Sequence, residues 1–120
     1  MKVILLMVAF LGAASANAST MLLWSCKLLE GHSIEEVKTI NTAWVEAVNE
    51  LSEYQVKSYV LESIASSDMT AFRYIDVFEN PVHWGQIRSK MEGGALDAFE
   101  AQFNQATHCE VASLYEATES

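Results

Sequence analysis

The stretch Thr70–Pro81, TAFRYIDVFENP, decides the fold. Its first part, Thr70–Phe78, is rich in aromatic and β-branched side chains, which predicts a β-strand. Asn80 then fits the N-cap of a helix, and Pro81 fits its first turn. The stretch therefore predicts a strand that leads directly into a helix.

Downstream of this unit, the sequence predicts two helical stretches and a last strand. The apolar side chains of the first helix are Val82, Trp84, Ile87 and Met91. Gly93 and Gly94 end this helix, and a second helical stretch covers Ala95–Thr107. The apolar side chains of that second stretch are Leu96, Phe99 and Phe103. Cys109–Ala117, CEVASLYEA, then closes the chain as a strand.

Upstream, the sequence predicts a strand, a long helix and a second strand. Met21–Leu29 is apolar and too short for a helix of usual length, so it predicts the first strand. Ser33 begins S-I-E-E, a capping box in which the Ser33 hydroxyl and the Glu36 carboxylate satisfy donors at the start of a helix. The apolar stripe of this helix is Ile34, Val37, Ile40, Trp44, Ala47, Val48 and Leu51. Its predicted polar face carries Glu35, Lys38, Asn41, Glu46 and Glu50. Tyr54–Ser63 predicts the next strand.

The resulting element order is β-α-β-β-α-(α)-β, which predicts an α+β domain of the ferredoxin-like type. Its four-stranded antiparallel sheet has the strand order 4-1-3-2 and carries the helices on one face. Cys26 lies late in the first strand and Cys109 at the beginning of the last, and antiparallel pairing brings these two ends together. An even pair of cysteines in an exported protein favours a disulfide, so we expect Cys26 and Cys109 to be bridged.

Export is predicted by the beginning of the chain. Lys2 supplies a positive charge, Val3–Leu11 is a short apolar run, and small residues follow up to Ala18. Residues 1–18 are therefore expected to be a cleaved signal peptide, with cleavage after Ala16 as the second choice. An uncleaved membrane anchor is the alternative, but the run is well short of the ~20 residues that a bilayer span needs. The predicted mature chain, residues 19–120, is a single domain that is secreted or periplasmic.

The charge of the predicted mature chain excludes two classes of partner. Without Lys2, six Lys and Arg stand against sixteen Asp and Glu, which gives a net charge of −10. Binding to a phosphate backbone or to an anionic membrane surface requires positive charge. We therefore predict no nucleic-acid partner and no membrane attachment after cleavage.

By its order of elements, the predicted mature chain resembles the dimeric α/β-barrel superfamily of ferredoxin-like proteins. That group includes small monooxygenases of the antibiotic-biosynthesis type, chlorite-dismutase-like haem proteins and stress-responsive barrel proteins. The resemblance implies a homodimer whose open sheet faces pack together. It also implies a pocket between the sheet and the helices of each subunit.

Six residues are predicted to line such a pocket: Trp44, Tyr59, Tyr74, Asp76, His83 and Trp84. The two tryptophans lie on helix stripes that face the sheet, where they wall an apolar pocket or simply fill the core. Strand alternation places Tyr74 and Asp76 on one face with Phe72 and Phe78. A buried Asp among aromatic rings acts as a general base, unless it pairs with a cation or lies at a dimer interface. His83 is a haem ligand only by analogy with the superfamily.

No motif in the sequence assigns a reaction. The histidines His32, His83 and His108 have no metal-ligand spacing, and neither a nucleophile elbow nor a Gly-rich phosphate loop is present. We therefore assign no metal and no cofactor. The sequence favours an exported homodimer that binds a small apolar ligand or a protein partner. The alternative is a cofactor-free or haem-dependent oxygenase or dismutase of the α/β-barrel type, and a purely structural envelope protein is a third reading.

Overall fold

The computed structural model describes residues 18–120. The predicted signal peptide, residues 1–18, lies outside these residues except for Ala18, so its cleavage stays a prediction. Within the described part of the chain, no helix is long and apolar enough to cross a bilayer.

Four strands and three helices follow one another in the predicted order. Their bounds are β1 Ala18–Leu28, α1 Ile34–Leu51, β2 Lys57–Glu62, β3 Ala71–Phe78, α2 Pro81–Glu92, α3 Asp97–Ala106 and β4 Thr107–Thr118. The strands form one antiparallel sheet in the order β2-β3-β1-β4, which is the predicted order read from the other edge. The predicted fold class is confirmed.

The strand ends differ from the predicted ones where backbone pairing, and not side-chain hydrophobicity, sets them. β1 begins three residues before Met21, because Ala18 pairs with Thr118 at the far end of β4. β2 begins at Lys57 and not at Tyr54. The segment before it is held by Asn49, whose side chain donates to the Val56 carbonyl (3.0 Å) and accepts from the Val56 N–H (2.7 Å).

The predicted starts of α1 and α2 are confirmed, whereas α3 begins at Asp97 and not at the predicted Ala95. The capping box at α1 is only half formed. The Ser33 hydroxyl accepts from the Glu36 N–H at 3.3 Å. The Glu36 carboxylate does not return to the cap; it contacts His32 Nδ1 at 2.8 Å. At α2, the Asn80 side chain accepts from the His83 N–H at 2.9 Å, and Pro81 takes the first helical position.

Two residues lie on a different helix face from the predicted one. Asn41, predicted on the polar face of α1, is buried. It lies four residues after Val37 and three before Trp44, which places it on the apolar stripe. Val82, one of the four apolar residues of the predicted helix, is 70% exposed, whereas His83 is only 1% exposed. The side of α2 that faces the core therefore carries His83 and Ile87, whereas Val82, one position before His83, faces solvent.

Cys26 and Cys109 are directly opposite each other in the β1–β4 ladder and form the predicted disulfide, with a Cα–Cα distance of 4.0 Å. The ladder shifts register between Ser25 and Cys26, which is a β-bulge or a similar irregularity. The bridge therefore fixes the edge strand β4 to a central strand of the sheet.

The helices cover one face of the sheet, and the core on that face has two parts. The first cluster is Trp44, Val48, Val56, Phe78, Ile87 and Leu96. The second cluster is Cys26, Val37, Phe72 and Tyr74. The opposite, open face carries a set of apolar residues that register pairing places side by side: Met21, Leu23, Tyr59, Leu61, Ile75, Val77, Val111 and Tyr115. We call this set the open face.

Candidate functional site

A cavity lies between the sheet and the helices where the two core clusters meet. Its volume is about 430 Å³, within the range of small-molecule sites. Four aromatic side chains border it, Trp24 from β1, Trp44 from α1, Tyr74 from β3 and Phe103 from α3. Its polar border is formed by Asn41, Asp76, Glu100, Asn104, Thr107 and His108. We call this space the aromatic cavity.

Two polar residues explain why the core is divided into two clusters. On α1, the polar Asn41 separates Val37 of one cluster from Trp44 of the other. On β3, Asp76 separates Tyr74 from Phe78 in the same way. Two polar residues that face each other from a helix and a strand thus interrupt the apolar packing at one level.

A chain of hydrogen bonds joins these two polar residues. Asn41 Nδ2 donates to Ser58 Oγ at 2.9 Å, and the Ser58 hydroxyl donates to Asp76 Oδ1 at 2.5 Å. Ser58 lies on β2 directly opposite Asp76 in the β2–β3 ladder. The network fixes Asp76 and engages one of its two carboxylate oxygens. Oδ2 accepts no hydrogen bond from any other side chain of residues 18–120.

Asp76 is held in surroundings that disfavour its charge. The residue is 8% exposed, and burial raises the pKa of its carboxyl to about 6, although the Ser58 hydrogen bond lowers it and nearby Glu100 raises it further. Burial also raises the pKa of Glu100, with a further contribution from Asp97. The cavity thus contains two carboxyl groups that both resist ionisation.

Tyr74 also borders the aromatic cavity. Its ring packs edge to face against Phe72 and Phe103, at centroid distances of 5.1 and 5.4 Å. Its Oη is buried and lies near Thr107, which lowers the pKa of the phenol, but the Thr107 hydroxyl donates to the Phe103 carbonyl and Oη makes no hydrogen bond of normal geometry within the described chain. Burial, reinforced by the charge of Asp76, raises the pKa of this phenol, so it remains a neutral hydroxyl. A buried hydroxyl without a partner is unfavourable.

A second cavity, of about 590 Å³, adjoins the first and shares Trp24, Trp44, Asp76 and Glu100 with it. Trp84 borders this second space. The Arg88 guanidinium lies 5.4 Å from the centre of the Trp84 ring and donates to Glu92 at 2.9 Å. The charge of Arg88 is therefore already paired on the surface of α2.

His83 lies away from the aromatic cavity and has a structural role. Its Nδ1 accepts from the Glu79 N–H at 3.0 Å, and its Nε2 lies 2.6 Å from the Ser52 hydroxyl. Nδ1 is therefore unprotonated and Nε2 carries the proton. Burial lowers the pKa of His83, which favours this neutral form. Because both ring nitrogens are engaged, His83 does not fit the role of a haem ligand.

Four of the six residues predicted to line a pocket border these adjoining cavities: Trp44, Tyr74, Asp76 and Trp84. Tyr59 does not, because it lies on the open face and is 52% exposed. His83 does not either, because it packs against Tyr54 and Phe78 beyond the end of α1.

Sequence reasoning missed several residues of this site. Glu100 lies four residues after Leu96 and three before Phe103, so helical spacing alone could have placed it on the inward face of α3. Trp24 alternates with Cys26 along β1, which places both on the helix-covered face. Asn41 was missed because a polar residue on a helix was expected to face solvent. Within residues 18–120, no group of three or more His, Cys, Asp or Glu is arranged to hold a metal ion.

Neither a family model nor a curated protein matches the sequence, but solved structures match the fold. SnoaB, a cofactor-independent oxygenase from Streptomyces nogalater, superposes with a TM-score of 0.61 and 13% identity, over 88% of this chain and 97% of SnoaB. A protein from Arabidopsis thaliana has a TM-score of 0.54 and 11% identity, over 85% of this chain and 95% of that one. A dimeric ferredoxin-like protein of unknown function from Thermobifida fusca has a TM-score of 0.53 and 7% identity, over 87% and 93%.

This is the ferredoxin-like fold. The resemblance to the dimeric α/β-barrel superfamily that the element order predicted is confirmed at the level of the fold. At these identities, the ferredoxin-like neighbours do not transfer an activity, because unrelated functions share such folds.

Proposed function

We propose that this chain is an exported homodimer that binds a small, flat and largely apolar molecule in the aromatic cavity. The observation that carries the proposal is the cavity itself, with four aromatic side chains around it and an unpaired Tyr74 hydroxyl at its border. A core that needed only to be stable would be filled at this level, since interiors are closely packed. The Cys26–Cys109 disulfide supports export, because such bridges persist in oxidising compartments.

The open face supports the homodimer. Tyr59 and Tyr115 are each 52% exposed there, and Leu61 and Val111 are exposed beside them. The helices pack on the opposite face, so nothing within the described chain covers this one. A contiguous apolar surface of this kind usually marks an interface. The Thermobifida fusca neighbour is a dimer, which agrees with a second copy of this chain as the occupant.

Native mass spectrometry of the protein purified from an exported preparation tests the proposal. We expect a dimer that carries extra mass, or that takes up naphthylmethanol, a neutral two-ring probe small enough for the cavity of about 430 Å³. Ile75→Glu places a charge in the middle of the open face and should give monomers, because burying an unpaired carboxylate is strongly unfavourable.

The matched control for Ile75→Glu is Val82→Glu, which makes a similar exchange at the exposed surface of α2 and should remain dimeric. A wild-type monomer would contradict the homodimer. A dimer that carries no extra mass and takes up no naphthylmethanol would contradict the binding function.

A second candidate, a cofactor-free oxygenase, is favoured by Asp76. A buried carboxylate whose pKa is about 6 is suited to accept a proton from a bound substrate near neutral pH. The deprotonated substrate would be the reductant and dioxygen the oxidant. With anthrone, for example, the methylene carbon would lose two hydrogens and gain one oxygen as a carbonyl, while the other oxygen leaves as water. The SnoaB neighbour is a cofactor-independent oxygenase, which agrees with this candidate.

Oxygen uptake in the presence of anthrone separates the two candidates. An oxygenase should consume dioxygen, and Asp76→Asn should lower the rate by about 100-fold or more, because an amide does not accept the proton. Glu46→Gln, which removes a carboxylate from the exposed side of α1, should leave the rate unchanged. Bound anthrone with no oxygen uptake above the uncatalysed rate would favour the binding function.

A further inference from the structure

The charges around the aromatic cavity have one sign. Asp76 and Glu100 border it, whereas neither Lys nor Arg does among the described residues. His108 lies at its rim, where it is largely exposed and lies 3.4 Å from the Glu110 carboxylate. In the adjoining cavity, Arg88 is paired with Glu92. The buried carboxylate of Asp76 therefore has no cationic partner among residues 18–120.

Such a carboxylate is unusual inside a protein. Buried charges are normally paired, because desolvation without compensation costs several kcal/mol. Ser58 donates to Oδ1 alone, so one oxygen of Asp76 remains for a second donor. Tyr74, whose hydroxyl makes no hydrogen bond within the described chain, borders the same cavity. The Asp76 carboxylate is therefore the group that a cation in the cavity would pair with.

The aromatic side chains that border the cavity indicate which kind of molecule would bind beside Asp76. Trp24, Trp44 and Phe103 are apolar and favour a flat ring system. Aromatic faces also attract cations, and tryptophan does so most strongly. An ammonium group would supply the missing positive charge and donate a hydrogen bond to Asp76 Oδ2. A carboxylate or phosphate would instead be repelled by Asp76 and Glu100.

We infer that the aromatic cavity selects a flat aromatic molecule that carries an ammonium group over its neutral and anionic analogues. This inference rests on the proposed ligand-binding function and names the chemical class of the ligand. The ring system lies between the aromatic side chains, and the ammonium group lies between Asp76 and Glu100.

Three probes with the same ring system test the selection: naphthylmethylammonium, naphthylmethanol and naphthoate. Isothermal titration calorimetry of the full mature protein at about pH 7.5 should show that the ammonium binds at least tenfold more tightly than the alcohol, and that naphthoate binds most weakly. If none of the three binds, the proposed binding function fails. If the alcohol or naphthoate binds as tightly as the ammonium, the binding function stands and the cation selectivity is overturned.

Charge-neutralising variants assign the selectivity to residues. Asp76→Asn should weaken ammonium binding by about tenfold or more and change alcohol binding by less than about threefold. Glu100→Gln should act in the same direction, and Glu46→Gln, on the outer face of α1, should change neither. Equal losses for ammonium and alcohol in Asp76→Asn would show that the residue supports the cavity and does not recognise charge.

The pH dependence gives an independent readout. Ammonium affinity should rise between about pH 5 and pH 7.5 as Asp76 ionises, while alcohol affinity should not. The other titratable groups near Asp76 are Tyr74 on β3, Glu100 with Asp97 behind it on α3, the Arg88–Glu92 pair on α2, and His108 on β4. The rise should persist in His108→Gln, become smaller in Asp76→Asn because only Glu100 then ionises beside the ligand, and disappear in the double variant Asp76→Asn/Glu100→Gln. A rise in Asp76→Asn as large as in the wild type would overturn the assignment.

Discussion

At about pH 7.5, Asp76→Asn is expected to be more stable than the wild type by about 3 kcal/mol, while it loses the recognition proposed above. In the wild type, burial raises the pKa of this carboxyl from 3.8 to about 6, which corresponds to that free energy. Asparagine has the same shape, still accepts the Ser58 hydrogen bond and cannot ionise. The variant therefore avoids the unfavourable buried charge.

The stability difference between Asp76→Asn and the wild type should depend on pH. Because the folded-state pKa is raised, the wild type loses stability as the pH rises from 3.8 to about 6, and the penalty is full above about 6 and small below 3.8. The gain from Asp76→Asn should therefore be full at about pH 7.5 and close to zero at about pH 3.5. Urea unfolding, followed by tryptophan fluorescence at one protein concentration, measures the difference at both pH values.

Asp68→Asn is the control with the opposite sign. Hydrogen bonds from Thr70 lower the pKa of the exposed Asp68 carboxyl, so its charged form stabilises the fold. That variant should gain nothing at neutral pH and should lose any difference from the wild type as the pH falls. An Asp76→Asn variant that is less stable than the wild type at about pH 7.5 would show that the cavity needs the charge for the fold itself.

Removing the disulfide with Cys26→Ala and Cys109→Ala is expected to lower the free energy of unfolding by about 4.5 kcal/mol. The bridge closes a loop with a sequence separation of 83, and a loop of that length restricts the unfolded chain strongly. Urea unfolding of the oxidised wild type and of the double variant measures this difference.

Reduction of the wild type distinguishes the effect of losing the covalent bridge from the effect of losing the cysteine side chains. A reductant breaks the same covalent link without deleting the sulfur atoms, so it should reproduce most of the loss. It should leave the double variant unchanged. A loss below about 1 kcal/mol by both routes would mean that the β1–β4 ladder alone closes this edge of the sheet.

Much of the fold could be predicted from local patterns. The alternation in Thr70–Phe78 gave β3 and the face on which Tyr74 and Asp76 lie, because side chains of a strand alternate whatever surrounds it. Asn80 and Pro81 gave the start of α2, because a cap is a local hydrogen bond next to a fixed dihedral angle. The cysteine pair agreed with the strand order, since both follow from the same antiparallel neighbours.

The candidate site was only partly predictable, because it depends on which segments face each other. The spacing of apolar residues indicates which side of a helix faces the core only to within about one position. The spacing therefore indicated Val82 where the structure buries His83, and it indicated a polar face for Asn41, which lies on the apolar stripe of α1. Tyr59 was placed at the pocket by its residue type, but the alternation in β2 turns it to the open face.

By itself, the sequence determined the element order, the strand faces and an aspartate among aromatic residues, because each of these follows from spacing along one chain. It also determined the disulfide, because the chain has only two cysteines and the predicted strand order brings them together. Only the tertiary structure decided that Asn41, Ser58 and Asp76 form one hydrogen-bonded chain and that Glu100 joins them across a cavity. These residues come from α1, β2, β3 and α3, and packing, not local pattern, sets the distances between them. The same packing leaves the Asp76 carboxylate without a cation in the described part of the chain, and this charge defines what the cavity is proposed to bind.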